Sequence, residues 1–306
     1  MGENDLGAIN TDPPDLAVAV EGDGSGFPDL ADVALRLRAL ESTNAAIGRC
    51  LDPPSTDELR RALPPVKFPV VRNVFARVRG DSPRGHGFAS PSVDERKVAR
   101  EAAVSSAQRA AELGARWLIL ELGGIEAGMG AELSNDPFDL TGAGRRADAE
   151  PLDFRQRCEE EAESLLDRTC RELHAVASAV PEVVFAILTP RAETLPTPDI
   201  LTAVLEDLGP RRVQYWHDTG RARALSHRGL VPEDLWLDRF ADRCVGVDLS
   251  DSIAGLDGLP AGSGEVDFVA VRGALSRQAL GVVRAEPDPG PGPLLESIRM
   301  LRAVGF

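Results

Sequence analysis

Eight short apolar runs, each followed by a helix-forming segment, recur between residues 16 and 304, and this alternation limits the possible folds more than any other feature. The runs fall at 16–20 (LAVAV), 45–51, 66–78, 117–122, 183–188, 213–217, 244–249 and 280–285. They lack the apolar/polar alternation of a half-exposed strand, as expected for strands covered on both faces. The clearest helical segment carries Cys158, Ala162, Leu165, Leu166, Thr169, Leu173 and Val176 on one face. Strict strand–helix alternation implies an α/β protein with a parallel sheet. Eight units in 306 residues fit a single (β/α)8 barrel better than an open sheet. A dinucleotide-binding sheet is disfavoured because Gly22, Gly24 and Gly26 lack the spacing of a GxGxxG turn. Residues 1–14 are expected to be a disordered tail, residues 15–306 the barrel, and residues 123–150 a long loop over the strand ends.

Charge removes several classes of function. With 34 Lys and Arg against 49 Asp and Glu, the formal charge is −15, which disfavours a non-specific grip on nucleic acid. No run of about 18 apolar residues is present to span a membrane. Residues 1–14 lack the basic start and apolar core of a signal peptide, so a cytoplasmic location is expected. Four cysteines, Cys50, Cys158, Cys170 and Cys244, have no CxxC spacing and read as free thiols.

Carboxylates end several of the apolar runs. Asp218 follows VQYWH, Asp248 and Asp251 follow CVGV, and Glu286 follows GVVRA. The C-terminal ends of parallel strands are where barrels place their chemistry. Strand alternation assigns faces. If Asp218 points inward, so does Trp216, as barrel filling or a substrate contact, while His217 faces the helix layer. If Glu286 points inward, so does Arg284. Glu121, at the end of the fourth run, is either a substrate contact or a partner for arginine. His86, His174 and His227 lack triad partners, and no GxSxG elbow is present.

In order along the chain, VSSAQRAAELGARWLILELGG, VQYWHDTGRARA, VGVDLSDS, GSGEVDF and VVRAEPDPG resemble the signature segments of the xylose isomerase-like TIM barrel superfamily. The resemblance runs from residue 16 to residue 306. It implies a sugar or sugar-phosphate isomerase or epimerase acting on a small polyhydroxylated substrate, while the charge and the lack of a long apolar run set aside nucleic-acid and membrane partners. Relatives hold one divalent cation with Glu, Asp, His and Glu from strands five to eight. Here the Asp corresponds to Asp218, the His to Asp248 and the last Glu to Glu286, while the first Glu falls near Leu188 and has no counterpart. Arg221 stands where relatives carry the His after Asp-Thr-Gly, and Glu121 where they often carry a strand-four His. The site is therefore degenerate.

Two readings of these residues compete. In one, Asp218, Asp248 and Glu286 hold Mg²⁺ or Mn²⁺, and Glu286 and Asp218 perform acid/base chemistry beside Glu121, Arg221, Arg284 and Trp216 as substrate contacts. One-base isomerase or lyase chemistry is then favoured, since a two-base epimerase needs the missing strand-five Glu. In the other, the protein is a non-catalytic binding or scaffold descendant whose arginines fill the metal position. Cleavage at abasic DNA sites, known elsewhere in the superfamily, is disfavoured by four histidines and the acidic charge.

Overall fold

The computed structural model describes residues 16–21, 27–48, 54–73, 87–123, 156, 158–191 and 194–306. The expected N-terminal tail and residues 124–150 of the expected loop lie outside these residues, as do Cys50 and His86. In chain order β1 (Ala17–Val20), α1 (Leu30–Ala39), β2 (Asn44–Ile47), α2 (Thr56–Ala62), β3 (Lys67–Asn73), α3 (Val93–Leu113) and β4 (Trp117–Leu120) come first. Then follow α4 (Ala162–Ala179), β5 (Val184–Leu188), α5 (Pro198–Leu208), β6 (Val213–Asp218), α6 (Thr219–His227) and α7 (Glu233–Phe240). The chain ends with β7 (Cys244–Ile253), β8 (Leu256–Pro260), α8 (Phe268–Ala274), β9 (Leu280–Val283) and α9 (Pro291–Ala303).

Eight of these strands close into a parallel barrel. β1 through β6 pair in sequence, β6 pairs β7, β7 pairs β9, and β9 returns to β1 through Ala17↔Val282 and Val18↔Val283. The outlier is β8, which pairs antiparallel with the far end of β7. Helix boundaries follow local chemistry. Ser55 and Glu58 form a reciprocal capping box on α2, Thr197 caps α5, Asp267 caps α8, and Gly114 ends α3 in the left-handed region at φ 73°. The buried face of α4 includes Leu165, Thr169, Leu173 and Val176, as its spacing indicated.

The core has two layers. A large cluster lies between strands and helices, and a smaller one fills the barrel interior with Ala17, Ala19, Ala46, Val70, Ile119, Ala186, Val282 and two tryptophans, Trp117 and Trp216. The small residues make room for the tryptophans, whose rings meet edge-on at 6.5 Å. Gly246 is required by the same packing. A Cβ there would lie 2.3 Å from two Trp216 ring carbons.

Two elements differ from the sequence reading. The polar segment after Asp218 is helix α6, whose first turn buries Thr219, Gly220 and Arg221 ahead of a short apolar face of Ala222, Ala224 and Leu225. The strand expected to end at residue 249 runs to Ile253, turns at Ala254 and Gly255 (φ 51° and 82°), and returns as β8. Asp251 holds this hairpin. Its buried carboxylate accepts backbone N–H bonds from Ser252 (2.8 Å), Gly262 (2.9 Å), Gly264 (2.9 Å) and Val266 (3.0 Å).

Gly246→Ala should destabilise the protein by about 1–3 kcal/mol through displacement of Trp216. An unchanged urea midpoint in this variant would mean that the ring does not rest on Gly246.

Candidate functional site

Counting by twos up each strand leads from the inner core to the site. Ala19 leads to Glu21, Val70 to Arg72, Ile119 to Glu121, Trp216 to Asp218, Gly246 to Asp248 and Val282 to Arg284. One step beyond the apolar layer, the C-terminal end of the barrel is therefore lined by charged side chains. Gly48, just after β2, has no side chain, and a Cβ there would meet Glu21 Cγ at 2.7 Å.

The charges interlock. Arg284 directs its three nitrogens at three carboxylates: Nε at Glu21 (3.3 Å), Nη1 at Asp218 (3.6 Å) and Nη2 at Glu286 (2.6 Å). Arg72 pairs through Nη1 with Asp248 and through Nε with Glu21 at 3.4 Å. The other oxygen of Asp248 accepts from Trp216 Nε1 at 2.9 Å. Arg221 donates through Nη2 to Glu121 (2.7 Å) and through Nη1 to the Thr189 carbonyl (3.1 Å). Its Nε lies 3.3 Å from Asp218 Oδ2 but is too poorly aligned to hydrogen-bond. Asp218 Oδ1 caps α6 by accepting from the Arg221 N–H at 3.0 Å. Arg191, just beyond β5, donates to Glu286 at 3.1 Å.

Burial makes this pairing obligatory. Asp218 and Asp248 are inaccessible to solvent, and the side chains of Arg72, Arg221 and Arg284 are each 2% exposed. Charges removed from water are tolerated only when paired and hydrogen-bonded. Burial pushes the Asp218 carboxyl above its ordinary pKa, Arg221 and Arg284 pull it down, and the adjacent Asp248 adds to the rise. Burial opposes the charge on Arg284, yet Glu21, Glu286, Asp218 and Asp248 outweigh it and hold the guanidinium well above its usual range. The groups that still reach solvent are Glu286 (37%), Arg191 (41%), Glu121 (23%) and Glu21 (15%).

Outside the barrel wall, the other face of β6 carries a neutral buried chain. Thr189 Oγ1 lies 2.7 Å from the Tyr215 hydroxyl, which lies 2.8 Å from His217 Nδ1, and Thr189 Oγ1 accepts the Asp218 N–H at 3.0 Å. Tyr215 stacks on Trp236 of α7 at 6.2 Å. Burial lowers the His217 pKa to about 3.

The structure brings Asp218, Asp248, Glu286, Glu121, Arg221 and Arg284 together at the barrel mouth, each carboxylate paired with a guanidinium. Asp218 is sealed among arginines and caps a helix, which leaves it no face toward a ligand. Trp216 is fully buried and serves as barrel filling and a donor to Asp248, not as a substrate contact. The three proposed metal ligands do not converge. Each is engaged by a guanidinium, and among the described residues no group of three or more His, Cys, Asp or Glu is disposed to hold a metal ion. The donor set does not fit Mg²⁺ or Mn²⁺, because cationic nitrogens occupy the positions from which the carboxylates would bind a cation. Sequence reasoning missed Glu21, Arg72 and Arg191. The signal for the first two was the step of two from Ala19 and Val70, hidden for Arg72 inside a run read as one strand over 66–78.

The family described as xylose isomerase-like TIM barrel matches residues 39–304. Among solved structures, a putative xylose isomerase from Rhodospirillum rubrum aligns with a TM-score of 0.64 at 14% identity, covering 94% of this chain and 98% of the other. The 3-keto-D-glucoside 4-epimerase of E. coli aligns with a TM-score of 0.59 at 13% identity over 94% and 100% of the two chains. D-Psicose 3-epimerase from Clostridium cellulolyticum gives 0.60 at 12% over 94% and 98%. At such identities these structures are similar in fold. A search of curated protein sequences found no match.

Two measurements test the site's energetics. Arg72→Met leaves Asp248 as a buried charge without its guanidinium, and the urea midpoint should report a loss of about 3–5 kcal/mol. His217 gives a pH dependence. Unfolded, it takes up a proton near pH ~6.5, whereas the folded ring resists protonation until about 3. The stability of the neutral ring is therefore full above the unfolded pKa and lost as pH falls toward the folded one. His217→Gln removes this titration. Between pH 7 and pH 4 the wild type should lose roughly 3 kcal/mol more than the variant, and parallel acid limbs would refute it.

Proposed function

The chain belongs to the xylose isomerase-like TIM barrel family, and on that premise we propose that it is a sugar isomerase/epimerase-like protein that binds a small polyhydroxylated ligand at the C-terminal mouth of its barrel. The observation that carries this reading is the position of Glu286. Its carboxylate is 37% exposed and lies between two guanidiniums, Arg191 at 3.1 Å and Arg284 at 2.6 Å. A carboxylate accepts from sugar hydroxyls, and a guanidinium donates to hydroxyl or carbonyl oxygen.

The chemistry that this arrangement supports is one-base proton transfer. Glu286 would take the proton from the carbon beside a ketose or aldose carbonyl, the electron pair would move onto the carbonyl oxygen, and Arg191 would stabilise the charge that develops there. Transfer of the neighbouring hydroxyl proton to that oxygen, with return of the carbon-bound proton from Glu286 to the former carbonyl carbon, would give the isomer. Glu121, 23% exposed and held by Arg221, is placed to orient hydroxyls. The ligand is proposed to be unphosphorylated, since the backbone N–H groups of Gly262, Gly264 and Val266 are committed to Asp251. A second, binding-only reading draws support from the complete burial of Asp218 and Asp248 among arginines, which withdraws both carboxylates from acid/base chemistry.

A panel of ketoses, aldoses and their phosphates tests this by thermal shift, with proton NMR in D₂O following exchange at the carbon next to the carbonyl. Unphosphorylated sugars should raise the melting temperature and exchange solvent deuterium. Glu286→Gln should slow exchange by about 10²–10⁴-fold while binding stays within tenfold. Binding without exchange would select the binding-only reading, and the absence of any shift would reject a sugar site.

A further inference from the structure

We propose that Arg284, supported by Arg72, is a resident cation that takes the place of a divalent metal, so that the barrel mouth is neutralised by the chain itself and excludes metal ions. The guanidinium of Arg284 is bound much as an ion is bound. It meets carboxylates from three places in the barrel, Glu21 after β1, Asp218 ending β6 and Glu286 after β9, each through a different nitrogen. Asp218 and Glu286 are two of the positions that the sequence assigned to metal ligation. The third, Asp248, is taken by Arg72 and Trp216, one on each oxygen.

Charge balance argues the same way. Among the described residues, five carboxylates, Glu21, Glu121, Asp218, Asp248 and Glu286, face four guanidiniums, Arg72, Arg191, Arg221 and Arg284, which leaves this set one formal negative charge. A divalent ion added to this set would over-neutralise it and would lie against fixed cations in a region with little water to screen them. Without Arg284 the same set carries two negative charges, and the Asp218 oxygen now facing that guanidinium is freed. Arginine suits the position because its rigid fork reaches several carboxylates at once and keeps its charge when buried. The covalent cation cannot dissociate, so the site does not depend on metal supply.

The test reads metal occupancy and stability with no sugar present, so its outcome is independent of the proposed ligand. EDTA-treated wild type and Arg284→Ala are titrated with Mn²⁺, followed by the EPR signal of the free ion and by melting temperature. The wild type should leave the Mn²⁺ signal undiminished and melt at the same temperature with Mn²⁺ or EDTA. Arg284→Ala should melt lower, bind Mn²⁺ at least tenfold more tightly than wild type, and regain melting temperature on addition of Mn²⁺ or of guanidinium at a few millimolar, roughly a thousandth of a denaturing concentration. If the variant folds only when one of these ions is added, the proposal is equally supported. Arg284→Lys, which keeps a cation in place, should exclude Mn²⁺. The proposal is overturned by stoichiometric Mn²⁺ binding in the wild type that is lost in Asp218→Asn. It is also overturned by an Arg284→Ala protein that neither ion binds or rescues, or by Arg284→Lys binding Mn²⁺ as well as Arg284→Ala does.

Discussion

A closed parallel barrel forces every second residue of eight strands toward one axis, and the side chains at a given height must fill or neutralise one another. In this protein the lower interior is solved by size: alanines beside two tryptophans, with Gly246 under the Trp216 ring. The next height is solved by charge. Glu21, Arg72, Glu121, Asp218, Asp248 and Arg284 enter the same restricted volume, where an unpaired ion would be far more costly than the pairing geometry demands. The positions of α6 and of the residues after β5 and β9 follow from this, because Arg221, Arg191 and Glu286 complete the pairs that the strands begin.

The same economy operates next door, where the segment after β8 folds back onto β7. Four backbone N–H groups converge there, an arrangement that elsewhere suits an anionic ligand. Asp251 supplies the anion from within the chain. Asp251 thus stands to that turn as Arg284 stands to the carboxylates of the mouth: each fills, with a side chain, a position whose charge calls for a counter-ion. The solvent-facing remainder of the mouth, Glu286 with Arg191 and the carboxylate of Glu121, is where the proposed polyhydroxylated ligand would bind.

Much of this was legible in residue order. The alternation of apolar runs and helical periodicity specified the barrel because both signals are local. Asp218, Asp248, Glu286, Arg221, Arg284 and Glu121 stood out because charged residues immediately after such runs fall at strand ends. Helix α6 did not stand out, since its buried first turn is Thr219, Gly220 and Arg221, and only the small residues Ala222 and Ala224 with Leu225 form its apolar face. Strand β8 did not either, because its backbone groups are satisfied by the end of β7, and nothing within Leu256–Pro260 announces that partner.

The sequence by itself determined the fold and placed Glu121, Asp218, Arg221, Asp248, Arg284 and Glu286 at the barrel's C-terminal end, because strand period, helix period and capping act between near neighbours. Only the tertiary structure decided what those residues do. Arg72 meets Asp248 across 176 positions and Arg284 meets Glu21 across 263. Such pairs exist only once β9 has closed against β1 and all the strands share one register. Whether three carboxylates hold a metal or an arginine depends on which cation reaches them at that closure, and here the nearest one belongs to the chain.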